Sequence, residues 1–179
     1  MTGVQTCALP ICWALLLFLG IDQESIAERM PFLSPVAMRL EMKTGINQCS
    51  VINDSYNSDL GSLTIALDFL NQQKQHDRRT VILSDILQSG KNEEQLYLEV
   101  ADLLSAKKVT RLFGIGPSIL RQKHLFRLPA ECFETTEDFL KAFPGMSFRE
   151  EAILLKGARP FGFEEIGKLL QQKEIGRAH

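Results

Sequence analysis

The spacing of apolar and polar positions changes several times along the chain, and each change marks an element. The run WALLLFLG predicts a short helix, and a second opens after Asp22, whose carboxylate can cap the free N–H groups ahead of Ile26. Pro31 and Pro35 close this part. The stretch SPVAMRLEMKTGINQCSVIND then reads as two short strands around the turn at Thr44, Gly45, Ile46 and Asn47, which puts a domain boundary near Ser34. Alternation follows. A strand at 49–53 leads to a helix at about 60–73, with Leu63, Leu67 and Leu70 at helical spacing. A strand at 80–83 precedes a helix at about 93–105, with Leu96, Val100, Leu103 and Leu104 on one face. A strand at 111–115, a short helix from Pro117 and a short strand near Cys132 come next. A helix at 136–143, a strand at 152–155 and a last helix near 163–170 complete the series.

Strands alternating with helices predict an α/β fold: a Rossmann-like open sheet, mostly parallel, with helices on both faces. Composition narrows this little. At 179 residues, 45% hydrophobic and 23% charged, the chain has room for about one domain and an appendage. Twenty Lys+Arg against 22 Asp+Glu leave no basic footprint for nucleic acid. Four irregularly spaced cysteines without a C-x-x-C pair point to a reduced, cytoplasmic protein and away from zinc. The three histidines, His76, His124 and His179, lie far apart in polar surroundings and read as solvated.

The ends of the chain have a separate origin on this reading. CALPICWALLLFLG imitates the apolar core of a signal peptide, but no Lys or Arg precedes Arg29, and the run is too short to span a bilayer. Moreover, the C-terminal EIGRAH can be encoded by GAG ATC GGA AGA GCA CAC, whose reverse complement encodes Cys7 to Ile11 when read one base in. Both ends resemble a translated sequencing adapter. Residues 1–11 and 174–179 are therefore expected to be foreign and are set aside from fold reasoning.

In an open α/β sheet, ligands bind beyond the carboxyl ends of the strands. The residues there are Asn53-Asp54-Ser55-Tyr56-Asn57, Ser84-Asp85-Ile86, Gly114-Ile115-Gly116 and Lys156-Gly157-Ala158-Arg159, each polar or glycine-containing after an apolar run. Asp54 can accept hydrogen bonds from vicinal sugar hydroxyls, or can open the next helix as a cap or Asx turn. Tyr56 and Asn57 offer a flat face and an amide to a base or peptide, or serve packing and the turn. Asp85 is a rim carboxylate or, more often for such a residue, a cap. Lys156 and Arg159 supply positive charge toward a phosphate or carboxylate, or bridge to acids on the surface. Arg39, in the isolated Met38-Arg39-Leu40 segment, can reach across an interdomain cleft or stay solvated. The chain has no G-x-x-x-x-G-K-[ST], no H-E-x-x-H and no Ser-His-Asp signature, so no phosphate cradle or catalytic base stands out.

Pro35 to Leu40, Val51 to Asn57, Ser84-Asp85-Ile86 with Gly90, and Leu155 to Arg159 together resemble the C-terminal domain of the Mur ligases. The resemblance covers about residues 12–173. It implies a helical tail of a central ATP-binding domain at 12–34 and the C-terminal domain at 35–173. It further implies an ATP- and Mg²⁺-dependent, amide-forming ligase of peptidoglycan precursor synthesis, cut to a fragment inactive alone. The implied substrates are a UDP-N-acetylmuramoyl tripeptide, activated as an acyl phosphate, and D-alanyl-D-alanine. Arg39, Asp54, Tyr56 and Asn57 would then face ATP, while Lys156, Arg159 and, more weakly, Asp85 would face the anionic substrates. The metal ligands would sit mainly in the central domain. Where the family continues Tyr-Asn with Ala-Asn-Pro, this chain has Ser58-Asp59-Leu60; Ser84 and Ala158 replace a common glycine and serine. These departures resemble a lineage fused to an alanine racemase. The reading of a different class is a non-catalytic α/β nucleotide-binding or interaction module.

Overall fold

The structure is a computed structural model that describes residues 5–30, 40–87 and 89–171. The chain divides into two compact units, Met1–Ala37 and Met38–His179. The boundary expected near Ser34 and the adapter-like segment 174–179 lie outside the described residues.

The first unit contains helices α1 (Gln5–Phe18) and α2 (Gln23–Arg29). As the pattern predicts, Asp22 caps α2: its carboxylate accepts from the Ser25 N–H at 2.8 Å, which holds the carboxyl below the usual carboxylate range. No helix among the described residues is long and apolar enough to cross a membrane.

In the second unit, β1 (Glu41–Thr44) and β2 (Ser50–Asp54) form the expected antiparallel pair around a 3-10 turn at Ile46–Gln48. The alternation then runs α3 (Leu60–Gln72), β3 (Arg78–Ser84), α4 (Glu93–Ala106), β4 (Arg111–Ile115), α5 (Pro117–Arg121), β5 (Ala130–Phe133), α6 (Thr136–Ala142), β6 (Glu151–Lys156) and α7 (Glu164–Leu170). The sheet order is β1-β2-β6-β3-β4-β5, and every pair after the first is parallel. This is the predicted mostly parallel sheet.

Side chains alternate across a strand, so each strand feeds two cores. On one face Ile52, Val81, Leu112 and Leu154 pack with Leu63, Leu67 and Leu70 of α3 and Leu96, Val100 and Leu104 of α4. On the other, Val51, Ile82, Phe113 and Ile153 pack with Phe139 of α6 and Ile166 and Leu170 of α7. Every residue of β6 is buried, because the strand lies inside the sheet and is covered on both sides.

At the amino edge of the sheet, burial extends to a charge cluster that the sequence pattern does not reveal. Glu151, fully buried, accepts from Arg111 Nη2 at 2.9 Å on both carboxylate oxygens, from the Arg149 N–H at 3.1 Å, and from the Thr80 hydroxyl. The Arg111 guanidinium also donates to Thr80 Oγ1 and the Ser147 carbonyl and lies over the rings of Phe113 and Phe148.

Candidate functional site

The strand order decides what meets at the carboxyl edge. The chain leaves β2 and β3 for helices on one face, whereas it leaves β6, which lies between them, for α7 on the other. Such a reversal opens a crevice beyond the strand ends. Asp54 and Lys156 are the last residues of neighbouring strands and direct partners in the parallel register. They share the parity of Ile52 and Leu154, so both face the α3 side of the sheet.

Lys156 is 1% exposed, and its ammonium donates to Asp54 Oδ2 at 2.8 Å and to the Asn57 carbonyl. A buried ammonium requires such partners, since its hydration is lost. Asp54 remains 13% exposed, and its other oxygen, Oδ1, has no partner among the described residues. The loop between β2 and α3 closes over this pair. Asn57 Oδ1 accepts from the Ser58 N–H at 3.0 Å and its Nδ2 donates to Asp59. Asp59 and Ser62 make a reciprocal capping box at the start of α3. The Ser62 N–H, and more weakly the nearby Lys156 charge, hold the Asp59 carboxyl below the usual range. The Ser58-Asp59-Leu60 run thus opens a well-capped helix. The buried Ser58 hydroxyl has no partner among the described residues. Tyr56, in this loop, is exposed.

Asp85 does different work. It is buried and accepts from Tyr97 Oη at 3.0 Å, the Ser118 N–H at 3.0 Å and the Ile119 N–H at 2.7 Å, fixing the start of α5. Burial, and then the neighbouring Asp85 charge, push the Tyr97 hydroxyl far above its ordinary range. Gly116 leaves room for this arrangement: a Cβ there would fall 2.3 Å from the Asp85 carboxyl carbon, and its φ is +139°. Arg159 is exposed in the 3-10 turn Arg159–Phe161 after β6, and Arg39 lies outside the described residues. Ser84, which the sequence marks only as a departure, joins β3 to β6: its Oγ accepts from the Ala158 N–H at 2.9 Å and donates to the Asp85 carbonyl.

The structure therefore brings Asp54, Asn57 and Lys156 together and leaves Tyr56 and Arg159 exposed. Unused hydrogen-bonding capacity on Asp54, at a sheet switch point, fits a sugar hydroxyl. No group of three His, Cys, Asp or Glu that could by itself hold a metal ion gathers among the described residues. Two surface hollows of about 510 and 470 Å³ lie at the amino ends of the strands, by Arg78 and Arg149 and by Arg111 and Ala130. They are away from this rim.

The α/β fold is like that of solved Mur ligase structures. MurF from Acinetobacter baumannii superposes with a TM-score of 0.65 at 21% identity, over 86% of this chain and 35% of that one. MurF ligase from Thermotoga maritima in complex with ADP gives 0.61 at 13% identity, over 87% and 35%. Among curated proteins, the chain is 27% identical over 163 residues to UDP-N-acetylmuramoyl-tripeptide–D-alanyl-D-alanine ligase of Bacillus subtilis, covering 88% of this chain and 36% of that one. No family model matches the chain. The chain spans about a third of the length of the curated relatives it matches.

Proposed function

We propose that this chain is the C-terminal part of a cytoplasmic, ATP-dependent ligase that joins D-alanyl-D-alanine to a UDP-N-acetylmuramoyl tripeptide. The observation that carries the reading is the Asp54 carboxylate: held by Lys156 through one oxygen, it has no partner for the other among the described residues, at the switch point of a sheet shared with such ligases. In this reaction ATP supplies the phosphoryl group that activates the tripeptide carboxylate, and the dipeptide amine then displaces it. Asp54 holds the ribose of the nucleotide, while Tyr56 and Asn57 line the nucleotide side; Arg39, outside the described residues, is assigned to ATP by the family resemblance alone. Arg159, exposed just past β6, faces the anionic substrate. Phosphoryl transfer needs positioning and charge neutralisation more than covalent help, which suits a domain that closes as one wall over a site completed elsewhere. Magnesium ligands belong to the rest of the enzyme.

The test is phosphate release by the product of the complete gene, which should require ATP, the UDP-sugar tripeptide and D-alanyl-D-alanine together. Asp54→Ala should raise KM for ATP by about ten-fold, the loss of a charge-assisted hydrogen bond. An active enzyme indifferent to the dipeptide would sink the assignment, and an unchanged KM and turnover in Asp54→Ala would remove Asp54 from the site.

A further inference from the structure

Resting on this ligase reading, we infer that Lys156 is a positioning residue for the nucleotide loop and does not itself bind the anionic substrate. An ammonium that meets a substrate must present a free face to it. Lys156 is 1% exposed, beneath the loop, with Asp54 Oδ2 on one side and the Asn57 carbonyl on another. Reaching an anion outside would require leaving both partners, and Asp54 would lose its counter-charge. The two bonds have another consequence. One joins Lys156 to the end of β2; the other joins it to the loop three residues later, so a single side chain fixes both the Asp54 carboxylate and the path into α3. With Oδ2 committed to Lys156, the Asp54 oxygen available to a ligand is Oδ1.

The backbone on either side holds Lys156 in place. A Cβ at Gly157 would fall 2.7 Å from the Phe163 ring, so the backbone there packs directly on that ring, and the next N–H is tied to Ser84 Oγ. The strand therefore ends with the lysine turned inward under α3. Only the cation at position 159 is left on the exposed side of this turn.

The experiment compares Lys156→Met with wild type in the complete enzyme, using ATP and 2′-deoxy-ATP. The expected result is a KM for ATP raised about ten-fold and a preference for ATP over the deoxy analogue brought near one, with KM for the UDP-sugar tripeptide unchanged. In an Asp54→Asn background the same substitution should add almost nothing, because the two residues act as one unit. A raised KM for the sugar tripeptide with an unchanged KM for ATP overturns the inference, as does full additivity with Asp54→Asn. Lys156→Gln, which keeps a donor for the Asn57 carbonyl, provides the same comparison if the methionine variant does not fold. Hydrogen exchange in the present chain separates this inference from the ligase reading. Lys156→Met should speed exchange at the amides of Ser58 and Asp59 about ten-fold while β3 and β4 keep their protection. Unchanged loop exchange overturns the positioning role whatever the enzyme's substrates. Loop exchange that rises in an enzyme without dipeptide-dependent activity upholds positioning and removes the ligase assignment alone.

Discussion

Replacing Arg111 by methionine takes the counter-charge from a carboxylate that water does not reach. Glu151 is fully buried, and Arg111 Nη2 bonds both its oxygens at 2.9 Å. In Arg111→Met the carboxylate keeps only the Arg149 N–H and the Thr80 hydroxyl. Breaking a buried pair from one side costs roughly 3–5 kcal/mol. Arg111 is itself 21% exposed, so part of its own hydration is already retained and the lower end of that range, about 3 kcal/mol, applies. The lost cation–π contacts with Phe113 and Phe148 add about 0.5 kcal/mol, since methionine sulfur retains some attraction to the rings. At about 3 °C per kcal/mol for a chain of this size, the melting temperature should fall by about 10 °C. Urea unfolding followed by far-UV circular dichroism gives the free energy directly. The double variant Arg111→Met, Glu151→Leu should recover more than half of the loss, because no unpaired charge remains. A single variant within about 1 kcal/mol of wild type, or a double variant as unstable as the sum of both singles, would refute the reasoning.

Two further outcomes follow from other parts of the structure. Gly116→Ala combines a positive φ with a clash against the Asp85 carboxylate and should lose about 3 kcal/mol, whereas Gly90→Ala, at φ +67° with open space around it, should lose about 1 kcal/mol in urea unfolding. Equal losses would show that Asp85 yields to the methyl group. Hydrogen bonds from Arg121, and then Gln122, hold Glu93 down from 4.5 to about 2. A carboxyl lowered in the folded state stabilises above its unfolded value, and that contribution fades as pH falls from 4.5 toward 2. Glu93→Gln should therefore flatten the urea midpoint against pH across that window; parallel wild-type and variant curves would exclude the contribution.

The element order was legible because local signals agree: apolar periods, Asp22 as a cap, and Pro117 at the start of α5. The insertion of β6 between β2 and β3 was not, because strand order depends on which helices cross which face, and no local residue states it. The site shows the consequence. Asp54 and Lys156, about a hundred positions apart, both stand out in the sequence as strand-end residues, but only the register makes them partners and turns Lys156 inward. Asp85 was visible as a carboxylate at a strand end; that its acceptors are filled by Tyr97 and the start of α5 depends on how α4 and α5 pack. The Arg111–Glu151 pair escaped because each residue begins a strand, where the apolar pattern has not yet started.

The two ends of the sheet put buried charge to different uses. At the amino edge Glu151 has both oxygens engaged, and the guanidinium opposite is bonded and stacked, so little capacity remains for a ligand. At the carboxyl edge the same kind of pair is left incomplete: Lys156 is covered, but Asp54 retains some exposure and one oxygen without a partner among the described residues. A chain selected only for stability would gain by closing that second pair as it closes the first, for example with another donor from the 55–59 loop. The loop instead directs Asn57 to Ser58 and Asp59, which stiffens its own course and leaves Asp54 Oδ1 without a donor among the described residues. That asymmetry, more than the presence of any one residue type, supports the proposal of ligand recognition at this end, while the closed pair at the other serves stability.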